Sequence, residues 1–412
     1  MDIGATGLYL CLFIALYFEV FLLISFFEKR PEKKSTALPR CYPAVTMLVP
    51  CYNEQATVGA TIDSLLALDY PADKLDIMVV DDGSSDGTAD IARRYAAQYP
   101  TRVALVQKAN GGKYTALNIG IEQSKGELIG CLDADSFVEA SALIEAVKKF
   151  ESDSTIMAIT PAMKVHKPRS LLELMQNVEY TFGIFYKKMF DNLSAINVLP
   201  GPFSMYKREV FKKIGLFRHA HNTEDMEIAF RMHANHLKIV NAHTAFVYTT
   251  VPNTVRTLLR QRVRWSQGFL MNARDYGYMF FNKRYGNFGM LILPFATLSF
   301  FAGIYTAAYA VYRITDMVLS RMGDFFATGI PLHVPPAPHL TWFYLNTNSM
   351  LFVIVAVLCM TLVAILLGNR IAQTGLGVKS FAAYFAFFGF LAPLWLMRAA
   401  WGAALARESR WR

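Results

Sequence analysis

At 412 residues the chain can hold one catalytic domain of about 200–250 residues and still supply several membrane helices. Its hydrophobic fraction is 54%, and 41 Lys and Arg against 32 Asp and Glu give +9; the basic residues Lys29, Arg30, Lys33, Lys34 and Arg40 directly follow an apolar stretch, which points to an anionic membrane face and not to nucleic acid. The five cysteines form no CxxC pair, so neither a zinc site nor a disulfide framework is indicated, and a reduced compartment is the simplest reading.

The first predicted element is an apolar span over residues 7–27, about long enough to cross a bilayer core of roughly 30 Å. It lacks a basic leading segment and ends in bulky residues, so it reads as a retained anchor and not a cleaved signal. The basic residues behind it place the amino terminus outside and the following segment in the cytosol. Glu19 within this span is either a functional carboxylate or one hydrogen-bonded to a neighbouring helix, and the second reading is preferred.

From residue 44 to about 158 strand and helix patterns alternate. Strands are predicted at 45–49, 77–80, 103–106 and 128–132, with helices at 56–68, 88–99, 114–124 and 140–151. Near-continuous apolar strands joined by helices predict an α/β domain with a mostly parallel sheet, covered on both faces. Ligands of such sheets bind beyond the carboxyl ends of the strands. Segments 170–192 and 254–281 mix aromatics with Lys and Arg at helical spacing, as helices lying on a membrane surface or packing on a core would. Three further apolar spans are predicted at 288–312, 349–367 and 381–400. Arg313 to Thr341 is poor in basic residues, while Arg370 and Lys379 flank the next turn, in agreement with two crossings. A third crossing would leave Arg407, Arg410 and Arg412 outside, so the last segment is either a crossing or re-entrant or interfacial. The organisation expected is an anchor over 1–28, a catalytic domain over 44–252, interfacial helices over 253–284 and membrane helices over 285–412.

The motifs fall at the expected strand ends. Asp133 and Asp135 follow the fourth strand, and two carboxylates so spaced can hold Mg²⁺ or Mn²⁺ that takes its other ligands from water and substrate phosphates; alone, such a pair is a solvated turn. Asp81-Asp82-Gly83-Ser84 is either a plain turn or a carboxylate for a base or ribose edge. Lys113, after two glycines and at a helix start, can reach a phosphate or a base, although the spacing is not that of a P-loop. Asn222 or Thr223 can cap a helix that begins near Glu224, with Glu224 and Glu227 complementing its dipole. Asp225 is placed as a carboxylate base for a sugar hydroxyl. Gln261, Arg264 and Trp265 share one helix face, whereas Arg262 points elsewhere. Arg and Gln there can neutralise a diphosphate, and Trp offers a stacking surface for a sugar ring; a basic interfacial helix is the bland alternative. His219, His221, His233 and His236 read as surface or packing histidines before a metal ligand.

With these motifs in order, the chain resembles the membrane-embedded family 2 glycosyltransferases, the poly-N-acetylglucosamine, hyaluronan, chitin and cellulose synthases, over roughly residues 44–281. Thr223-Glu224-Asp225 followed by Gln261-Arg262-Val263-Arg264-Trp265-Ser266-Gln267-Gly268 looks most like the bacterial poly-N-acetylglucosamine branch. The resemblance implies a GT-A-type Rossmann-like domain and a processive, inverting, metal-dependent enzyme at the inner membrane, extending a polysaccharide from a UDP-sugar. It implies that Pro50, Tyr52, Glu54, Asp82 and Lys113 contact the nucleotide. Asp133 and Asp135 would then hold the metal-diphosphate, Asp225 with Glu224 would be catalytic, and Gln261, Arg264 and Trp265 would line the diphosphate and the acceptor entrance. Leu199-Pro200-Gly201-Pro202-Phe203-Ser204 matches the acceptor-side loop loosely and offers Gly201 and Phe203. One crossing before the domain and three after it are fewer than in such synthases, which makes an accessory subunit or homo-oligomer a natural partner. The alternatives are transfer of one sugar to a membrane lipid, or a UDP-sugar-binding component without turnover.

Overall fold

The computed structural model describes residues 3–28, 37–329 and 349–405. In chain order the elements are α1 (Ile3–Glu28), β1 (Val45–Cys51), α2 (Val58–Leu66), β2 (Leu75–Asp81), α3 (Thr88–Gln98), β3 (Val103–Gln107), α4 (Lys113–Gln123), β4 (Leu128–Cys131), β5 (Ser136–Val138) and α5 (Ala142–Ser152). They continue with β6 (Ile156–Val165), α6 (Leu171–Asn192), β7 (Met205–Lys207), α7 (Arg208–Ile214), α8 (Glu224–Ala234), β8 (Lys238–Thr249), α9 (Val255–Asp275), α10 (Leu293–Thr328), α11 (Ser349–Ala372) and α12 (Val378–Ala404).

The four predicted strands and their helices form as expected, because their apolar runs are buried on both faces: Met47, Leu48, Val49, Val79, Val80 and Ile129 are fully enclosed. The sheet order is β3-β2-β1-β4-β7-β6-β8-β5. The first four strands are parallel, β6 and β8 are parallel, and β7 and β5 join antiparallel. This second half was not predicted. Strands β5 and β7 are three residues each, too short for a periodic signal, and β6 carries Pro161 at a register shift. The carboxyl ends of β1, β2 and β4 open on one side, where the chemistry-bearing loops sit.

The amphipathic helices begin where the sequence caps them. Ser170 and Glu173 close a reciprocal capping box on α6, and Thr254 accepts from the Thr257 N–H to start α9. Helix α6 joins the two halves of the molecule. One face packs on the sheet, while Phe185 and Met189 share a core with Phe18 and Leu22 of α1 and with Phe230, Phe288 and Ile292. Helix α12 lies along both α6 and α9, with Ala383 and Tyr384 against Val178 and Leu258, and Gly402 close against Gln267.

Among the described residues, four helices are long and apolar enough to cross a membrane: Ile3–Glu28, Phe288–Ala327, Ser349–Ala372 and Val378–Ala404. The second outruns the predicted span because no breaker interrupts it before Gly329, whose φ of +75° ends the helix. Glu19 meets the preferred expectation, accepting a hydrogen bond of 2.7 Å from Thr361 of α11. Lys29, Arg30, Lys33, Lys34, Arg407, Arg410 and Arg412 lie outside the described residues, as do residues 330–341 of the predicted loop, whereas its first part, to Thr328, belongs to α10.

Candidate active site

Strand β2 delivers two aspartates with different fates. Asp81 is a turn group: its carboxylate accepts from the Ser84 N–H at 3.2 Å and from Gln107 at 3.4 Å. Asp82 reaches the next loop and accepts from the Gly111 and Gly112 N–H groups at 3.0 and 2.8 Å, with the Lys108 ammonium on the same carboxylate at 2.5 Å. Gly112, at φ +90°, turns its N–H to Asp82 and sends Lys113 into the cavity as the first residue of α4. Lys113 pairs with Asp133 at 2.5 Å and with Glu224 at 3.6 Å. Burial alone would favour the neutral amine, but these two carboxylates outweigh it and hold the ammonium charged.

Asp133 and Asp135 flank Ala134, whose carbonyl is fixed by the Thr61 hydroxyl of α2 at 2.8 Å. Asp135 accepts from Ser136 at 3.1 Å. Burial first, then the Asp133 and Glu54 charges, pushes its carboxyl up to about 6. A cavity with this surplus of negative charge suits a divalent cation, which would relieve the repulsion while taking phosphate and water as further ligands. Among the described residues no group of three His, Cys, Asp or Glu forms an all-protein metal cage, so the donor set fits a cation shared with a phosphate ligand and not a structural site. Gly201 packs directly on the Asp133–Lys113 pair, and a Cβ there would collide with both side chains.

Helix α8 brings Glu224 and Asp225 in its first turn. The predicted side-chain cap is absent: the Thr223 hydroxyl donates to the Ala220 carbonyl and accepts from Asn272 of α9 at 2.9 Å, so it ties α8 to α9 instead. Glu227 has the bland role, buried between Arg231 at 2.9 Å and the Tyr276 hydroxyl at 2.7 Å. Asp225 has no ion-pair partner within 4.0 Å among the described residues. Burial first, then the Glu224 charge, pushes its carboxyl up to about 6.

Helix α9 closes the opposite side. Gly268 allows it to approach Thr223 so closely that a Cβ would overlap that side chain. Gln261, Arg264 and Trp265 all face the cavity, and Arg264 donates to the Asn222 carbonyl at 2.8 Å. Arg262 is buried behind them. It pairs with Glu179 of α6 at 2.9 Å, donates to Gln261 Oε1 at 2.7 Å and stacks on Trp265 with 4.3 Å to the ring centroid. The residue expected to point elsewhere therefore braces two of the three that point in.

These walls enclose one cavity of about 770 Å³, within the size range of small-molecule sites. Pro50, Tyr52, Glu54, Asp82, Lys113, Asp133, Asp135, Gly201, Glu224, Asp225, Gln261, Arg264 and Trp265 all line it. Phe203 does not. At φ +61° its side chain turns into the core beneath the sheet and is fully buried, so it cannot touch an acceptor. The histidines are otherwise occupied: His221 on Asp275, His233 on the Ile196 carbonyl, His219 against Tyr114 and His236 against Tyr285. Glu179, Tyr180 and Lys187 of α6 also line the cavity and were not singled out in the sequence. Their spacing along one face of an aromatic-rich, basic amphipathic helix was the available signal.

The "Glycosyltransferase like family 2" model matches residues 43–268. A poly-β-1,6-N-acetyl-D-glucosamine synthase of Staphylococcus epidermidis is 32% identical over 262 residues, 62% of this chain and 63% of that protein. One of Staphylococcus aureus is 32% identical over 225 residues, 54% of each. The chain thus spans less than two thirds of the length of the curated relatives it matches. In fold it is similar to a mannosyltransferase of Pyrobaculum calidifontis solved with GDP-Man and Mn²⁺, with a TM-score of 0.65 and 20% identity over 98% of this chain and 99% of that one. That likeness reaches past the sheet to the long apolar helices and marks the GT-A architecture. Since the matched segment is more than half of the 412 residues and contains the carboxylates and the Gln261, Arg264 and Trp265 face of the cavity, the chain belongs to the glycosyltransferase-like family 2.

Proposed function

We propose that the chain transfers N-acetylglucosamine from its UDP donor, with inversion, to an acceptor hydroxyl, and so builds a β-linked polysaccharide at the cytosolic face of the plasma membrane. The observation that carries this reading is the solitary Asp225 carboxylate between the Asp133/Asp135 pair and the Gln261/Arg264/Trp265 face of one cavity. The names of the relatives supply the sugar.

In the reaction the acceptor oxygen attacks the anomeric carbon as the bond from that carbon to the diphosphate breaks. Asp225 takes the acceptor proton, and UDP leaves with the bonding electron pair. Arg264 and Lys113 stand where the diphosphate charge grows. Asp133 and Asp135 would hold Mg²⁺ or Mn²⁺, which when bound supplies Lewis-acid neutralisation of that leaving group. Glu224 keeps Lys113 charged and aimed, Glu54, Tyr52, Pro50 and Asp82 frame the nucleotide end, and Trp265 with Gln261 receives the acceptor ring. Arg262 and Glu179 fix that acceptor face.

A second reading, addition of one sugar to a membrane lipid, is favoured by a different observation: among the described residues, none from the four long apolar helices lines the cavity. A polymer channel would then need an accessory subunit or a second copy. Purified protein offered a panel of UDP-sugars with Mn²⁺ or Mg²⁺ distinguishes the cases by released UDP and product mass. A ladder of N-acetylglucosamine products that stops with chelator supports the first reading. Single-sugar products support the second, and metal-dependent UDP binding without UDP release would overturn both.

A further inference from the structure

The cavity wall holds a cation that the reaction above does not use. Lys187 lies on α6, and its ammonium donates to Thr160 at 3.2 Å and sits 3.9 Å from the Met163 sulfur. No carboxylate lies within ion-pair distance of it among the described residues, whereas Lys108, Lys113 and Arg262 each hold one. Even its neighbour Lys188 is paired, with Asp191. Lys187 is half-buried, and an ammonium partly withdrawn from water without a counter-charge is unfavourable; burial pushes this one down to about 8, with Asp225 acting against that.

The surroundings of Lys187 have room for the missing charge. One turn earlier on the same face, a Cβ on Gly183 would meet nothing within 4 Å. A further turn back, Tyr180 lies 6.0 Å from Arg262, the residue stacked on Trp265. The α6 face thus runs from an aromatic end at Tyr180, over an open floor at Gly183, to the cation at Lys187, in the cavity that also holds Asp225. The other face of α6 packs on the long apolar helices, Thr181 against Gly368 of α11 and Val178 beside Tyr384 of α12. The donor diphosphate has its charge partners on the strand-end loops and α9. The partners of Lys187 belong to β6, apart from them. A single ammonium is a point charge suited to phosphate, whereas planar carboxylates favour arginine.

We propose that Lys187 recognises a phosphate on the acceptor, which is a phosphate-bearing, lipid-linked molecule whose sugar ring rests at Trp265 and Tyr180 while its hydroxyl faces Asp225. This rests on the second transferase reading above, transfer to a membrane lipid, and names the substrate class of its acceptor side.

Two measurements on the full chain in detergent test it. In the first, acylation of Lys187 by an activated ester is followed by mass spectrometry with geranyl phosphate, geraniol or UDP present. Geranyl phosphate at about ten times its Kd should slow the reaction about tenfold, while geraniol and UDP leave it unchanged. Equal protection by UDP would assign the phosphate to the donor and overturn the proposal, as would no protection by geranyl phosphate. In the second, Lys187→Gln should raise KM for a prenyl-phosphate-linked sugar about tenfold or more, the loss of one charge-assisted hydrogen bond, with the donor KM unchanged and partial recovery in Lys187→Arg. An equal rise with a neutral alkyl glycoside would mean a structural role and also overturn it. Should the wild-type chain release no UDP from any donor, the transferase reading fails, and the protection experiment still decides the role of Lys187.

Discussion

The two walls of the cavity are built on opposite principles. On the sheet side every cation is already matched: Lys108 with Asp82, Lys113 with Asp133 and Glu224, and the loops that carry them are pinned by Thr61, Gly111 and Gly112. On the helix side, Arg262 is matched by Glu179, but Lys187 and Arg260 face the cavity with no carboxylate of their own among the described residues. A wall whose cations are all matched but whose carboxylates are in surplus is pre-organised for a cation and the anion bound to it. A wall that leaves charge uncompensated is complete only when a ligand supplies it. In the proposed reaction the donor would rest mainly on the fixed strand-end loops of the α/β body, with Arg264 reaching it from α9, and the acceptor on α6 and the rest of the α9 face.

The largest expected effect lies between the walls. Asp225→Asn keeps the shape of the side chain but removes the proposed base, so kcat should fall by about 10³-fold while UDP affinity stays within about twofold. Single-turnover UDP release and UDP titration calorimetry measure the two separately. A variant that kept its rate would move the base elsewhere and dissolve the contrast. Next in size is Gly201→Val. A Cβ at this position collides with the Asp133–Lys113 pair, and rigid strand-end loops cannot yield without displacing the carboxylates. Donor turnover should drop about 10²-fold, the usual consequence of misplacing reacting groups by about 1 Å. Unchanged donor kinetics in that variant would show that the sheet-side wall is not rigid.

The same division governs what the sequence revealed. Asp82, Lys113, Asp133 and Asp135 were legible because each follows an apolar strand or opens a helix, and strand ends in a parallel sheet converge by topology alone. Gln261, Arg264 and Trp265 were legible because helical spacing fixes their common face. Phe203 was misread, since whether it or Gly201 meets the cavity depends on one left-handed φ angle in a loop with no period. Arg262 points away from the cavity as helical spacing predicts, but its bracing role was silent because the carboxylate that holds it, Glu179, is 83 residues away on another helix. Lys187 and the second half of the sheet were silent for a related reason: a lysine on a basic amphipathic helix looks solvated until its neighbours are known, and three-residue strands carry no alternation.

Arg262→Met sharpens the comparison on the helix side. The variant keeps much of the apolar bulk against Trp265 but leaves Glu179 without its partner and Gln261 without its donor. Acceptor KM should rise about tenfold, on the scale of one charge-assisted hydrogen bond, with the donor KM nearly unchanged and the melting temperature lowered. A rise in donor KM of the same size would mean that the two walls act as one unit.

The smallest change across ordinary conditions is in pH, and its sign follows from which form is active. Burial and the Glu224 charge hold the Asp225 carboxyl up at about 6, and a base in the proposed role works only when ionised, so activity should fall as pH falls through that value. Between pH 8 and 7 the rate should change by only about 10%; it should be about half at pH 6 and about tenfold down at pH 5, whereas a solvated aspartate would place this limb near 4. Asp135 titrates in the same region, also about 6, and must lose its proton to hold a cation. The two contributions separate by concentration. A limb due to Asp135 moves to lower pH as Mn²⁺ is raised, because the cation competes with the proton. A limb due to Asp225 stays in place at saturating metal, since no ligand of the ground state competes for that carboxylate. A profile fixed near 6 at saturating Mn²⁺ in the wild-type chain, and lost in Asp225→Glu in favour of a shifted limb, would locate the titrating group between the two walls and not within the donor one.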